Sequence, residues 1–152
     1  MTPFRTALDR LAALAVAGVA HNYGVTAAPD ALGRAQLPAL LVLPGETRGG
    51  RLFGEHGDGF RALAFSGGPK TAAYLVTHLL LAAPAPPGDR LRARLPALAA
   101  LMDAYMAALG ADPTLGGALD EPARVTLEPG VFAHGGRRYH GCAFRHTWII
   151  AY

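Results

Sequence analysis

Apolar and polar positions repeat along the chain with two different periods, and the change of period separates helices from strands. From Phe4 to Val19 apolar residues recur every three or four positions, which predicts an amphipathic helix that ends near Ala20. Residues 21–36 contain two glycines and a proline and predict a loop. The continuous apolar run at 37–43, which stands before a proline and a glycine, predicts a buried strand.

Two further pairs of strands are predicted later in the chain. Residues 60–65 and 71–83 predict a strand, a glycine-rich turn and a long strand with apolar side chains on both faces. Near the C-terminus, residues 123–133 and 138–152 predict a hairpin that turns at two adjacent glycines. Because successive side chains of a strand point to opposite faces, one face of the last strand is expected to carry His140, Cys142, Phe144, His146, Trp148, Ile150 and Tyr152.

A second helix is predicted between these strands. Apolar residues recur at helical spacing over residues 89–109, after a proline-rich break at 84–88. Asp89 is expected to cap the N-terminus of this helix, Pro96 to kink it, and Gly110 to end it. The order helix, strands, helix, strands predicts a single α+β domain over 1–152, with an antiparallel or mixed β-sheet and two main helices packed on one face.

Residues 45–59 interrupt this pattern. They contain six glycines together with acidic and basic residues and one histidine, a composition that offers little to a core. We expect a mobile, glycine-rich loop arm that becomes ordered only against a neighbouring chain.

Composition narrows the function classes. Hydrophobic residues make up 51% of the chain and charged residues 16%, which is apolar for a monomer of 152 residues and indicates that partners cover part of the surface. The net charge of +3 is too small to make nucleic-acid binding the main function. A lone cysteine excludes an intramolecular disulfide and fits synthesis in the cytoplasm. The apolar run at 71–83 is too short to cross a membrane as a helix, so no membrane association is expected.

The chemistry-bearing residues form two weak candidate sites. His140, Cys142 and His146 share one face of the last strand, but His140 and His146 are about 20 Å apart in an extended strand, so one ion cannot bind both. His140 with Cys142, joined by His134 across the hairpin, is the metal candidate that remains, but aromatic and imidazole packing at an interface accounts for these residues better. Cys142 with His140 as its base is also the one candidate nucleophile, although no catalytic motif surrounds the pair. We therefore expect no catalytic site, no metal and no cofactor. A small cytoplasmic enzyme that uses Cys142 and His140, or a monomeric domain with an apolar ligand pocket, remains an alternative.

Several segments resemble one known family. They are the Leu-Pro-Ala-Leu-Leu-Val-Leu run at 37–43 that leads into a polar loop, the long strand at 71–83 that ends at prolines, the helix that begins near Leu91 and Leu95, and the C-terminal hairpin. In this order they resemble the tail terminator proteins of long-tailed bacteriophages, the group that includes the minor tail protein U of lambda-like phages. The Ala-Asp-Pro-Thr-Leu-Gly-Gly segment at 111–117 also resembles the wider set of phage tail-completion and head–tail joining proteins.

The resemblance implies a structural virion protein of the tail–neck region. It implies a homo-oligomeric ring, typically hexameric, that caps the tail tube, ends tail polymerisation and offers a joining surface to the head–tail connector. The implied partners are the tail tube protein and the neck proteins, with DNA only as cargo that passes through the lumen. The alternative within this class is another neck, connector or tail-completion subunit. The implied interface residues are Arg48, Arg51, Phe53 and His56 on the arm and Arg137, Arg138 and Tyr139 near the hairpin turn.

Overall fold

The computed structural model describes residues 3–43, 59–63 and 71–152. These residues form an α+β domain, as the sequence predicts. The elements, in chain order, are helix α1 (Pro3–Ala12), strand β1 (His21–Tyr23), a 3₁₀ turn (Arg34–Gln36), strands β2 (Ala39–Leu43), β3 (Gly59–Leu63) and β4 (Thr71–Pro84), helix α2 (Leu91–Ala111), and strands β5 (Arg124–His134) and β6 (Arg137–Ala151).

The sheet is mixed and is built around two long strands. Its order is β1-β2-β4-β6-β5, and β3 pairs with the first part of β4 beside β2. The strands β1 and β2 run parallel, whereas the other pairs are antiparallel. The sheet therefore ends at β5 on one side and at the short strand β1 on the other.

The faces of the long strands follow the predicted alternation. Tyr74 pairs with Trp148 and His78 with Phe144, and these side chains point toward the helices because they share a core with residues of α1 and α2. The register between β4 and β6 shifts once, at Ala82, which is the extra residue of a β-bulge. The expectation that β4 is covered on both faces is confirmed, since Leu79 and Leu81 lie in a second buried cluster on the opposite face.

The C-terminal hairpin is confirmed, and its turn is fixed by close packing. Gly135 and Gly136 adopt φ values of 58° and 76°, in the left-handed region that glycine tolerates. A Cβ at Gly135 would lie 1.6 Å from the carbonyl oxygen of Asp30. The turn therefore sits directly against the loop that follows β1.

Both helices pack on one face of the sheet, also as predicted. Ala7 and Leu11 of α1 and Leu98 and Tyr105 of α2 are buried in the larger core. Residues 24–37 cross the other face and bury Leu32 in the smaller cluster. The helix face therefore holds most of the aromatic side chains.

The N-terminal helix is shorter than its apolar pattern predicts. It ends at Ala12, and Gly18 adopts a φ of 83° in the turns that follow. The side chain of Asn22 donates hydrogen bonds to the carbonyl oxygens of Leu11, in the last turn of the helix, and of Leu14, just beyond it. The predicted loop at 21–36 also contains β1, which is too short to show a period in the sequence.

The second helix differs from prediction at both ends, and it is not divided at Pro96. Asp89 does not cap it, because the helix begins at Leu91 after Arg90, and the Asp89 carboxylate contacts other side chains instead. Pro96 lies within an unbroken helix, in the second turn, where its missing N–H removes one hydrogen bond. The helix passes Gly110 and ends at Ala111, where Asp112 closes it with a backbone bond to Leu109.

The predicted loop arm at 45–59 lies outside the described residues, except for Gly59, which begins β3. The strand predicted at 60–65 is found at Gly59–Leu63.

Candidate functional site

A chain of buried polar side chains crosses the core beneath both helices. The indole N–H of Trp148 donates to Nδ1 of His146 over 3.2 Å, and Nε2 of His146 lies 2.6 Å from the Tyr105 hydroxyl. That hydroxyl lies 2.8 Å from Nδ1 of His78, whose Nε2 is 2.9 Å from the side-chain oxygen of Asn22. Five side chains from β1, β4, α2 and β6 therefore form one continuous hydrogen-bonded series.

The direction of every bond in this series is fixed by its two ends. An indole only donates, so Nδ1 of His146 accepts and the proton of the neutral ring must lie on Nε2. The amide oxygen of Asn22 only accepts, so Nε2 of His78 carries a proton and Nδ1 accepts from Tyr105. Both histidines are therefore neutral and hold their protons on Nε2.

Burial opposes protonation of either ring. Both histidines are fully buried, and desolvation lowers the pKa of His146 to about 3. The pKa of His78 is also held well below its usual value, first by burial and then by the nearby His146. Four of the five side chains are buried and Asn22 is half-buried, so the series joins α1, α2 and the sheet from within the core.

The candidate nucleophile Cys142 lies in the same core. It is fully buried between β4 and β5, and burial raises the pKa of its thiol to about 11. At neutral pH the thiol is protonated, whereas a catalytic cysteine is exposed to substrate and has a lowered pKa.

The neighbouring histidine is held by an acidic side chain. His140 is fully buried, and its Nε2 lies 3.2 Å from a carboxylate oxygen of Asp89. The same oxygen lies 3.5 Å from the Arg94 guanidinium. This arrangement ties the start of α2 to β6, which explains why Asp89 does not serve as a helix cap.

The candidate metal set of His134, His140 and Cys142 does not come together, because of the hairpin register. Val131, and not His134, lies opposite His140, and His134 belongs to the other face of the sheet. There its Nε2 lies 2.8 Å from the backbone oxygen of Pro29. Among the residues that the structure describes, no three histidine, cysteine or acidic side chains could hold a metal ion.

The predicted interface residues lie in different environments. Arg137 and Arg138 are exposed at the start of β6. Tyr139, by contrast, is 1% exposed, and its hydroxyl contacts the backbone N–H and carbonyl of Leu32. Its assignment to a surface is corrected: its side chain anchors the segment that covers the second face. The arm residues Arg48, Arg51, Phe53 and His56 lie outside the described ranges.

One end of the sheet carries six of the basic residues in the described part of the chain. At this end β4 finishes, α2 begins and the hairpin turns, because Ala85 bonds to Arg138 and Asp89 to His140. We call it the basic end. Its six arginines, against Asp30 and Asp89 as its acidic residues in the described part of the chain, are Arg34, Arg90, Arg92, Arg94, Arg137 and Arg138.

An exposed apolar surface lies between α2 and the outer strand β5. Leu127 and Val131 of β5 pair with residues of β6 that face the helices, yet each remains 37% exposed. On α2, Leu101 lies on the flank near Gly18, so Leu95 and Met106, about 120–140° farther around the helix, lie on the flank toward β5. We call these four side chains (Leu95, Met106, Leu127 and Val131) the α2–β5 surface.

The outer strand next to this surface has one protective feature. Strand β5 is 11 residues long, and its outer edge has no partner strand among the described residues. Pro129 at its centre lacks the N–H that edge-to-edge pairing requires. Side chains of this region are therefore better suited to contact a partner than its backbone is.

Sequence reasoning missed the hydrogen-bonded series, although one signal was present. His78 is the only histidine in the otherwise apolar segment of β4, and a buried polar side chain requires partners. Those partners come from distant segments of the chain, which no periodicity connects.

None of the helices in the described ranges has the length and apolar character needed to cross a membrane. No protein-family model matches the chain, and no curated protein matches it.

Proposed function

We propose that the chain is a ring-forming structural protein of a phage virion, a tail terminator that caps the tail tube and presents a joining surface to the head–tail connector. The proposal starts from the sequence resemblance described above. The structural observation that supports it is the α2–β5 surface.

An exposed apolar surface of this kind favours a protein partner. Leu95 and Met106 are 45% and 40% exposed, and they lie beside two partly exposed apolar residues of a strand that ends the sheet. Exposed apolar side chains scattered singly need no explanation, but a group of four on a helix and on the last described strand of the sheet favours an interaction site.

The position of this surface suits a ring. It lies on the β5 side of the sheet, whereas the opposite side ends in β1, so the two sides of the domain differ in composition and shape. Contact between two unlike sides is heterologous, and repetition of such a contact by rotation closes a ring. A two-fold dimer would instead place the same side of both protomers in contact.

The buried Cys142 and the closed hydrogen-bonded series further favour assembly over catalysis as the function to test. The potential nucleophile and the two histidines of the series point into the core, and burial raises the pKa of the Cys142 thiol. This leaves the surface as the part of the described chain that can act.

The test is the solution mass of the purified chain by multi-angle light scattering, followed by negative-stain imaging. We expect a closed ring of uniform diameter. Leu95→Asp should convert this ring to smaller species, because it places a charge within the apolar contact.

A matched control is available on the same helix, outside both sides of the sheet. Ala107 is exposed and lies about 180° around α2 from the buried Leu98, so it faces away from the sheet. Ala107→Asp should leave the mass of the ring unchanged. A wild-type chain that stays monomeric over the accessible concentration range would contradict the proposal, as would equal dissociation by the two variants.

A further inference from the structure

A cavity opens at the basic end of the sheet, and its lining shares no residue with the α2–β5 surface. It has a volume of about 400 Å³, which is within the range of small-molecule sites. Its walls come from the 3₁₀ turn, the end of β4, the connection to α2 and the first turn of that helix. The lining residues are Arg34, Leu37, Ala82, Ala83, Pro84, Pro86 and Arg94.

Two cationic side chains from separate elements line this cavity. Arg34 belongs to the 3₁₀ turn and Arg94 to the first turn of α2. Within the described ranges, no acidic side chain lies within ion-pair distance of Arg34. Arg94 shares the Asp89 carboxylate with His140, which approaches the same oxygen more closely. The positive charge in the cavity is therefore incompletely balanced by the protein.

The remaining walls are apolar or consist of backbone. Leu37, Pro84 and Pro86 provide apolar surface next to the two guanidinium groups. Ala82, the bulged residue of β4, also lines the cavity, and a bulged residue lies outside the regular hydrogen-bonding ladder. Bulges of this type are frequent beside binding sites.

The walls are held in place before any ligand arrives. The Tyr139 hydroxyl contacts both backbone groups of Leu32, and the side chain of Gln36 accepts a hydrogen bond from the N–H of Gly33, so the segment that carries Arg34 is anchored. On the other side, the N–H of Ala85 donates to the carbonyl of Arg138. A site with fixed walls loses less conformational entropy on binding than a flexible one.

We propose that this cavity binds a small oxyanion, a phosphate or carboxylate group held between Arg34 and Arg94, with a compact apolar body against Leu37, Pro84 and Pro86. Guanidinium groups bind both kinds of oxyanion through paired hydrogen bonds. The apolar walls favour an organic anion over an inorganic one. This site is independent of ring formation and of the α2–β5 surface.

The test is isothermal titration calorimetry of the purified chain. Phenyl phosphate, benzoate and inorganic phosphate are titrated in separate experiments. We expect saturable 1:1 binding of phenyl phosphate in the millimolar range, tighter than that of inorganic phosphate. Comparison of phenyl phosphate with benzoate then identifies which oxyanion the two arginines prefer.

Variants that remove the same charge inside and outside the cavity distinguish binding in the cavity from general electrostatic attraction to the basic end. Arg34→Ala and Arg94→Ala should each weaken the binding of phenyl phosphate by about tenfold or more, because each removes hydrogen bonds to a charged group. Arg92→Ala and Arg138→Ala remove the same charge at the same end but outside the cavity, and they should change the affinity less than about twofold.

Three results would overturn the proposal. They are the absence of saturation by either organic anion, equal losses in the cavity variants and the charge-matched variants, and equal affinity for phenyl phosphate and inorganic phosphate. Circular dichroism of each variant verifies that the fold is retained.

Discussion

Acid should destabilise this protein through the two histidines of the hydrogen-bonded series, and replacement of His146 should remove its share of that effect. The perturbation is His146→Gln. A glutamine amide donates and accepts, so it can replace both hydrogen bonds of the ring, to Trp148 and to Tyr105, without a group that titrates. The variant therefore changes the proton linkage more than it changes the contacts.

The magnitude follows from the pKa values. The folded-state pKa of His146 is about 3, against about 6.5 in an unfolded chain. Below pH 6.5 the unfolded state binds a proton that the folded state rejects, so stability is fully present above 6.5 and falls as the pH is lowered toward 3. Between pH 7.5 and pH 5 this single residue should reduce the free energy of unfolding by about 2 kcal/mol.

His78 should contribute a change of the same sign, because its pKa is also held well below the usual value. Its contribution adds to that of His146 in the wild-type protein.

The assay is urea denaturation at several pH values between 7.5 and 5, with the free energy of unfolding compared between wild type and variant. The difference between the two profiles isolates His146, because the carboxylates titrate equally in both. His21→Gln is the control, since His21 lies exposed on β1 and its replacement should leave the wild-type profile unchanged. Parallel profiles for wild type and His146→Gln would refute the reasoning.

Two further predictions concern the centre of the sheet. Gly141→Ala should destabilise the protein by at least about 3 kcal/mol in thermal or urea unfolding, because the new Cβ would lie 1.9 Å from the carbonyl oxygen of Leu80. Gly130→Ala on the adjacent strand is the control: the nearest atom to its new Cβ lies at 3.9 Å, so it should cost less than about 1 kcal/mol. Similar losses of stability in the two variants would disprove the packing argument. At pH 8 the thiol of Cys142 should react with an aromatic disulfide reagent at least about 100-fold more slowly in the native chain than in the chain unfolded by urea. The reason is that burial raises the pKa of this thiol to about 11. Rapid labelling of the native chain would contradict this prediction.

The regular elements were predictable because their signals are local. The adjacent Gly135 and Gly136 predict the hairpin, because glycine readily adopts the positive φ values that a tight turn requires. The period of two along β6 correctly assigns His140 and Trp148 to the buried helix-facing side, because side-chain direction in a strand depends only on position.

Features that depend on distant contacts were not predictable. The apolar pattern continues past Ala12, where α1 ends. Near that end the Asn22 side chain donates hydrogen bonds to the carbonyl oxygens of Leu11 and Leu14, a contact that no local pattern shows. Strand β1 forms because β2 offers a parallel partner, and three residues carry no period of their own.

The candidate site shows the same division. Exposure of Arg137 and Arg138 follows from the turn that precedes them, but the burial of Tyr139 depends on Leu32, which lies 107 residues earlier in the chain. The cavity between Arg34 and Arg94 likewise joins two segments that no motif relates.

The close approach of Gly135 to the backbone of Asp30 has a consequence for the speed of association. Together with the contact between His134 and Pro29, it restrains the tip of the hairpin from swinging away from the domain. Arg137 and Arg138 therefore project from a backbone that is already set in one conformation. A partner that binds this tip meets a preformed shape, so we expect rigid-body docking there. The electric field of the two arginines should raise the association rate for an acidic partner, and added salt should lower that rate.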